Sequence, residues 1–147
     1  MISINSLLCR DLSEIANYAT VDNVQFKQLK AHTPAPITFI LNATKDVPKK
    51  LAHPKKKTIG IRVPSNPIAQ ALLAAMDEPI LTSSLILPHR DEILDDPFEI
   101  EELLGNQIDG LINAGIKTTK LTTIVDMTTN QPEIIRQGAA DVSSLVP

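Results

Sequence analysis

The 147-residue chain has no tryptophan, and only 3% of it is aromatic. That argues against a nucleic-acid binder built on aromatic stacking platforms. It has one cysteine, Cys9, so no internal disulfide can form, which suits a reducing compartment. Cys9 follows Leu7-Leu8 and reads as a small core residue rather than a nucleophile. No stretch approaches the ~20 apolar residues needed to span a bilayer. The N-terminus "MISINSLLCRDL" lacks a basic start followed by a long apolar run, so it does not read as a secretory signal. A soluble, cytoplasmic protein is expected. His32, His53 and His89 show no metal-ligand spacing among themselves or with Cys9. There is no Walker-type glycine-rich loop, no GxGxxG and no nucleophile elbow.

What is present is an ordinary globular composition, 43% hydrophobic and 21% charged, in a length that suits one domain spanning residues 1–147. The net charge of −3 hides an asymmetry. From Lys27 to Arg62 there are nine Lys or Arg and one acid, Asp46; from Asp91 to Asp109 there are eight acids and no Lys or Arg. Charge alone fits two solvated faces of opposite sign better than a surface for a phosphate-bearing partner.

The periodicity alternates between helix and strand. "DLSEIANYA" places Leu12, Ile15, Ala16 and Ala19 at helical spacing behind Asp11 as cap. A second helix can follow Asp22. Two prolines then forbid helix, and Ile37–Leu41 reads as a strand. "VPKKLA" fits one helical turn. Thr58–Val63 is a second strand, and Asn66-Pro67 opens a helix running to about Met76. "PILTSSLIL" starts as a strand, and Asp96-Pro97 opens a helix that Gly105 stops. "IDGLINAG", "TTIVDM" and "EIIRQG" read as three short β-like segments. The alternation predicts an α/β fold on one twisted mixed sheet with flanking helices.

Within "KKKTIGIRVP", Arg62 points away from its apolar neighbours Ile61 and Val63 by strand alternation. Ser83-Ser84 and Thr122-Thr123 lie in or beside other strands, and Arg136 ends the last. Arginines with nearby hydroxyls at strand ends suit a phosphate or carboxylate, which guanidinium binds bidentately. On spacing alone, a surface arginine and ordinary strand hydroxyls fit better.

Taken in order, "PAPITFIL", "TIGIRVP", "PILTSSL", "TTIVD" and "IIRQG" resemble the YrdC-like domain, the superfamily of the threonylcarbamoyl-adenylate synthases. Within it, "SSLILP" with "PKKKTIGIRVP" upstream resembles the YciO branch. The resemblance runs from about Leu7 to Val142. It implies a twisted α/β fold with a basic concave surface for double-stranded RNA or tRNA. The family's synthases act in tRNA modification, using ATP, L-threonine and bicarbonate with Mg²⁺ to make threonylcarbamoyl-AMP.

By position, Pro34, Pro36 and Thr38 match the family's Pro-Gly-Pro-x-Thr loop, with Ala35 replacing Gly. Arg62 matches the arginine facing the nucleotide cleft, and Ser84 the serine of Ser-x-Asn, whose Asn is Ile86 here. Thr122, Thr123 and Asp126 match its Ser-Thr-Val-Val-Asp strand, and Arg136 the arginine before the terminal Gly. The resemblance thus assigns Arg62, Ser84, Thr122, Thr123 and Arg136 to a nucleotide or anion cleft for ATP or AMP. It also implies a basic rim toward RNA made by Lys49, Lys50, Lys55, Lys56 and Lys57. The family's Lys-x-Arg and Thr-Asp-Thr-x-Tyr-Gly motifs belong upstream of residue 1. The expectation is therefore a partial, N-terminally truncated domain that binds RNA, with threonylcarbamoyl-AMP synthase as the alternative, and with a sheet edge exposed for self-association.

Overall fold

Residues 5–49 and 51–147 are described by a computed structural model. They divide into two compact units, Ser84–Leu121 and the remainder. The larger unit is a mixed sheet whose strands are β1 (Ser6–Leu8), β2 (Ala19–Thr20), β3 (Ile37–Ala43), β4 (Thr58–Arg62), β5 (Ile80–Thr82), β6 (Thr123–Asp126) and β7 (Glu133–Arg136). Their order is β5-β1-β4-β3-β6-β7, with β2 pairing β3. β1 runs parallel to β4 and β3 to β6, and the other pairings are antiparallel.

The helices start where side chains can satisfy orphan backbone amides. Helix α1 (Leu12–Tyr18) is capped by Asp11, which accepts from the Glu14 amide at 3.0 Å. Helix α2 (Asn23–Ala31) opens with a reciprocal box in which Asp22 and Gln25 each accept the other's backbone N–H. Asn66 accepts from Ile68 and Ala69 to begin α3 (Pro67–Met76). In the smaller unit, Asp96 accepts from Phe98 to begin α4 (Pro97–Leu104). Pro at the first helical position loses nothing, because its missing donor would be unpaired there anyway. Gly105 ends α4 with right-handed backbone, and a Cβ there would collide with the Glu101 carbonyl oxygen.

One face of the sheet holds the core. Leu7, Phe39, Leu41, Ile59, Ile61 and Val125 pack there with Ile15 of α1, Leu29 of α2, and Val142 and Leu145 near the C-terminus. Burying side chains of this size stabilises by roughly 1.5–3 kcal/mol each. Cys9 belongs to this core and is fully buried, and burial pushes its thiol up to about 12. That is the condition of an inert core thiol.

Two sequence expectations change. Residues 108–115 form no strand; Ile108, Leu111, Ile112 and Ile116 stand exposed, and no described strand pairs with the segment. Apolar residues without a ladder partner do not make a strand. Pro48 opens a turn, not a helix: the Leu51 amide donates to the Pro48 carbonyl at 2.9 Å. β1 and β2 carry too few residues for a period to register, yet β1 is buried throughout and sits between β4 and β5.

Candidate functional site

The face opposite the core carries a row of polar residues beside buried Leu8 and Ile124, and pairing register places them there. Directly opposed residues share a face, and successive residues alternate. Phe39 and Ile61 pair on the core side, so continuing their register sets Thr38 opposite Arg62 on the other side. Thr38 pairs with Ile124, and Ile124 with Arg136, which extends this face across β6 to β7. Thr122 joins the row through a 2.8 Å hydrogen bond between its Oγ1 and that of Thr38. Arg136 donates from Nε and Nη2 to the Thr122 carbonyl at 3.1 and 2.9 Å, and from Nη2 to Thr122 Oγ1 at 3.2 Å. Arg62, Thr38, Thr122 and Arg136 therefore form one polar row across three neighbouring strands and the edge strand.

Arg62 stands out in this row. Its Nε is buried and hydrogen-bonded to nothing, and burial holds its guanidinium below the ordinary value. A buried donor without a partner costs about 1–3 kcal/mol. Arg136 is also lowered by burial, but backbone and hydroxyl acceptors engage it.

The other expected residues are distributed as follows. Thr123 lies on the core face, not with Arg62: it pairs with Ile37, is fully buried, donates to the Ala140 carbonyl at 2.8 Å, and accepts from the Gly138 and Ala140 amides. Strand alternation separates it from Thr122. Ser84 is exposed and begins the smaller unit. Pro34 and Pro36 are exposed in the segment before β3, where the Thr33–Pro34 peptide is cis.

Of the lysines, Lys49 and Lys57 line a concavity of about 550 Å³ in the β3–β4 connection. Lys56 lines another of about 630 Å³, beside Asn42, His53, Thr58, Asp126 and Thr128 on the polar face. Lys55 is exposed, and Lys50 lies outside the described residues. Lys45 and His53 belong to the first concavity as well. Lys45 could have been read from its place in the same basic run, but no spacing signals His53. No group of three His, Cys, Asp or Glu side chains gathers for a metal among the described residues, and none of their helices is long and apolar enough to cross a membrane.

Among the described residues, a seven-stranded mixed sheet with α1 and α2 on its core face and a polar row opposite defines a twisted α/β domain of the YrdC-like kind. The family model Sua5_yciO_yrdC, described as "Telomere recombination", matches residues 5–138, and the chain belongs to this family. It is 50% identical over 137 residues to YciO of Escherichia coli K12, an uncharacterized protein, covering 93% of this chain and 66% of that one. It thus spans about two thirds of that relative's length.

A protein of Methanocaldococcus jannaschii provisionally named a threonylcarbamoyl-AMP synthase is 29% identical over 144 residues, 95% of this chain and 65% of its own. The crystal structure of E. coli YciO superposes with a TM-score of 0.92 at 48% identity, covering 97% of this chain and 69% of that one. That of P. abyssi Sua5 complexed with L-threonine gives 0.84 at 20% identity, covering 96% and 42%, a likeness of fold.

Proposed function

We propose that this domain binds double-stranded RNA or tRNA through the basic β3–β4 region and retains an anion cleft around Arg62. The observation that carries the reading is unneutralised charge. Among the described residues, none of the lysines from Lys27 to Lys57, nor Arg62, pairs with a carboxylate; the ion pairs formed are Arg10 with Glu14 and Asp77, and Arg90 with Glu99. Cations left open to solvent on one stretch of chain suit a partner that brings phosphates. Binding carried by phosphate contacts weakens steeply with salt, each contact contributing about −0.9 to the log–log slope. Titration of tRNA at low and moderate salt tests this. Affinity should fall with salt, and neutralising Lys55, Lys56 and Lys57 should flatten the slope. No binding at low salt, or an unchanged slope in that variant, removes the RNA reading.

The second reading is synthesis of threonylcarbamoyl-AMP from ATP, L-threonine and bicarbonate, supported by the M. jannaschii relative's name and by the P. abyssi structure with L-threonine. In adenylyl transfer, charge develops on the phosphate under attack, and a pre-set cation offsets it. Arg62 would hold that phosphate, with Thr38 and Thr122 positioning its oxygens. Mg²⁺ would arrive with the nucleotide's phosphates. Pyrophosphate release from ATP with threonine and bicarbonate measures this activity, and background rates eliminate it for this chain.

A further inference from the structure

The connection from β3 to β4 is longer than a hairpin needs, yet it is tied down. The Ala43 amide donates to the Lys57 carbonyl at 2.9 Å, His53 to Thr58 at 2.8 Å, and Lys57 to His53 at 2.9 Å. Val47 anchors the middle in the core. Lys57 holds a left-handed backbone at φ 52°, uncommon for a residue with a side chain. Inside the turn, the His53 ring is a structural acceptor: its Nδ1 receives the amides of Lys55 at 3.2 Å and Lys56 at 3.0 Å. That arrangement needs Nδ1 unprotonated. The result is the concavity of about 550 Å³ lined by Lys45, Lys49, His53 and Lys57, with Val47 and Ala52 also in its wall and no carboxylate among its lining residues.

We infer that this loop is a preformed phosphate cup, separate from the Arg62 cleft, in which Lys45, Lys49 and Lys57 supply the charge and His53 sets the shape. Ammonium groups bind phosphate as point charges and so depend on where the backbone holds them. His53 is a positioning residue. By accepting two successive amides it fixes the turn that leads into Lys57, so a ligand meets that cation already placed. The phosphate can belong to an RNA backbone or to a free anion. The RNA arm rests on the function proposed above, whereas the cup itself does not.

The test is a titration of the ¹⁵N-labelled full chain with inorganic phosphate at constant ionic strength, followed at the amides of Ala43, His53 and Lys57. Saturable shifts are expected. Lys45→Gln with Lys57→Gln should raise the dissociation constant at least tenfold, and Arg62→Ala should leave it unchanged. His53→Ala should weaken binding several-fold with every lysine in place. His53→Asn should recover most of the loss, because an Asn side chain can accept the same backbone amides, a rescue that lost packing alone does not predict. If His53→Ala does not fold, the Asn and lysine variants still decide.

Non-saturating shifts in the wild type, or unchanged affinity in the lysine variant, overturn the cup. A parallel tRNA titration separates the sources. A tenfold loss in the lysine variant places an RNA phosphate in the cup. Unchanged tRNA affinity beside lost phosphate binding makes it a site for a free anion. If tRNA fails to bind at all while phosphate saturates the loop, the RNA function falls and the cup stands.

Discussion

Arg62→Met should stabilise the ligand-free protein while abolishing its response to nucleotide. The side chain carries a buried Nε with no acceptor, and burial alone lowers its guanidinium. Methionine keeps the aliphatic stem and removes the orphan donor and the charge. Leaving such a donor unpaired costs about 1–3 kcal/mol, so the variant should gain in that range. At about 2–6 °C per kcal/mol for a domain between the sizes usually tabulated, its melting midpoint should rise by several degrees. A ligand supplying an acceptor stabilises the wild type by mass action, about 2.7 kcal/mol at a hundred times its dissociation constant. Differential scanning fluorimetry with and without AMP, ATP or pyrophosphate reads both effects. Wild type should shift upward with ligand, Arg62→Met should start higher and stay there, and Arg62→Lys should lose much of the shift for want of a bidentate fork. If Arg62→Met melts lower without ligand, the residue serves packing and the cleft assignment fails. An equal ligand shift in all three proteins refutes it as well.

Three further outcomes follow from the geometry. Thr123→Val removes a fully buried hydroxyl that accepts the Gly138 and Ala140 amides; chemical denaturation should show a loss of about 1–3 kcal/mol with the nucleotide shift retained. Cys9 is raised from 9.0 to about 12 by burial first, then by Glu14 and Asp11. Its thiol is held neutral in the native state, so its contribution is complete below pH 9 and is lost as pH rises from 9 toward 12, and Cys9→Ala should flatten that part of the stability–pH curve. β7 ends the strand order with Ile134 and Ile135 both exposed. Size-exclusion chromatography across a concentration series should show self-association that Ile134→Lys suppresses, as edge charges do.

The parts of the fold carried by local chemistry were legible in the sequence. Asp11, Asp22, Asn66 and Asp96 announce their helices because caps work within four residues of the chain. Arg62 was legible too, since alternation beside Ile61 and Val63 puts it off the core face. Thr122 and Thr123 were not separable, because two adjacent hydroxyls look alike until a partner strand shows which one faces Thr38. The 108–115 segment misled for the converse reason: strand identity needs a neighbour, and apolar content does not supply one. His53 could not be found at all, since its role depends on a turn that folds its ring back onto two amides.

The placement of Lys57 and Arg62 bears on what a partner must look like. Lys57 stands just before β4 and Arg62 closes it. Five residues of strand span about 16 Å at 3.3 Å per residue. That is the scale of several base-pair steps along an A-form RNA duplex. A single duplex can therefore meet both ends of β4, while a lone phosphate can fill either end but not both. Side chains this far apart that do not touch one another contribute roughly additively, even where one duplex meets both. RNA affinity should then depend on Lys57 and Arg62 independently, and the response to AMP on Arg62 alone. A cleft reading and a surface reading are thus compatible in one small sheet, because the two ends of β4 lie far enough apart to serve ligands of different length.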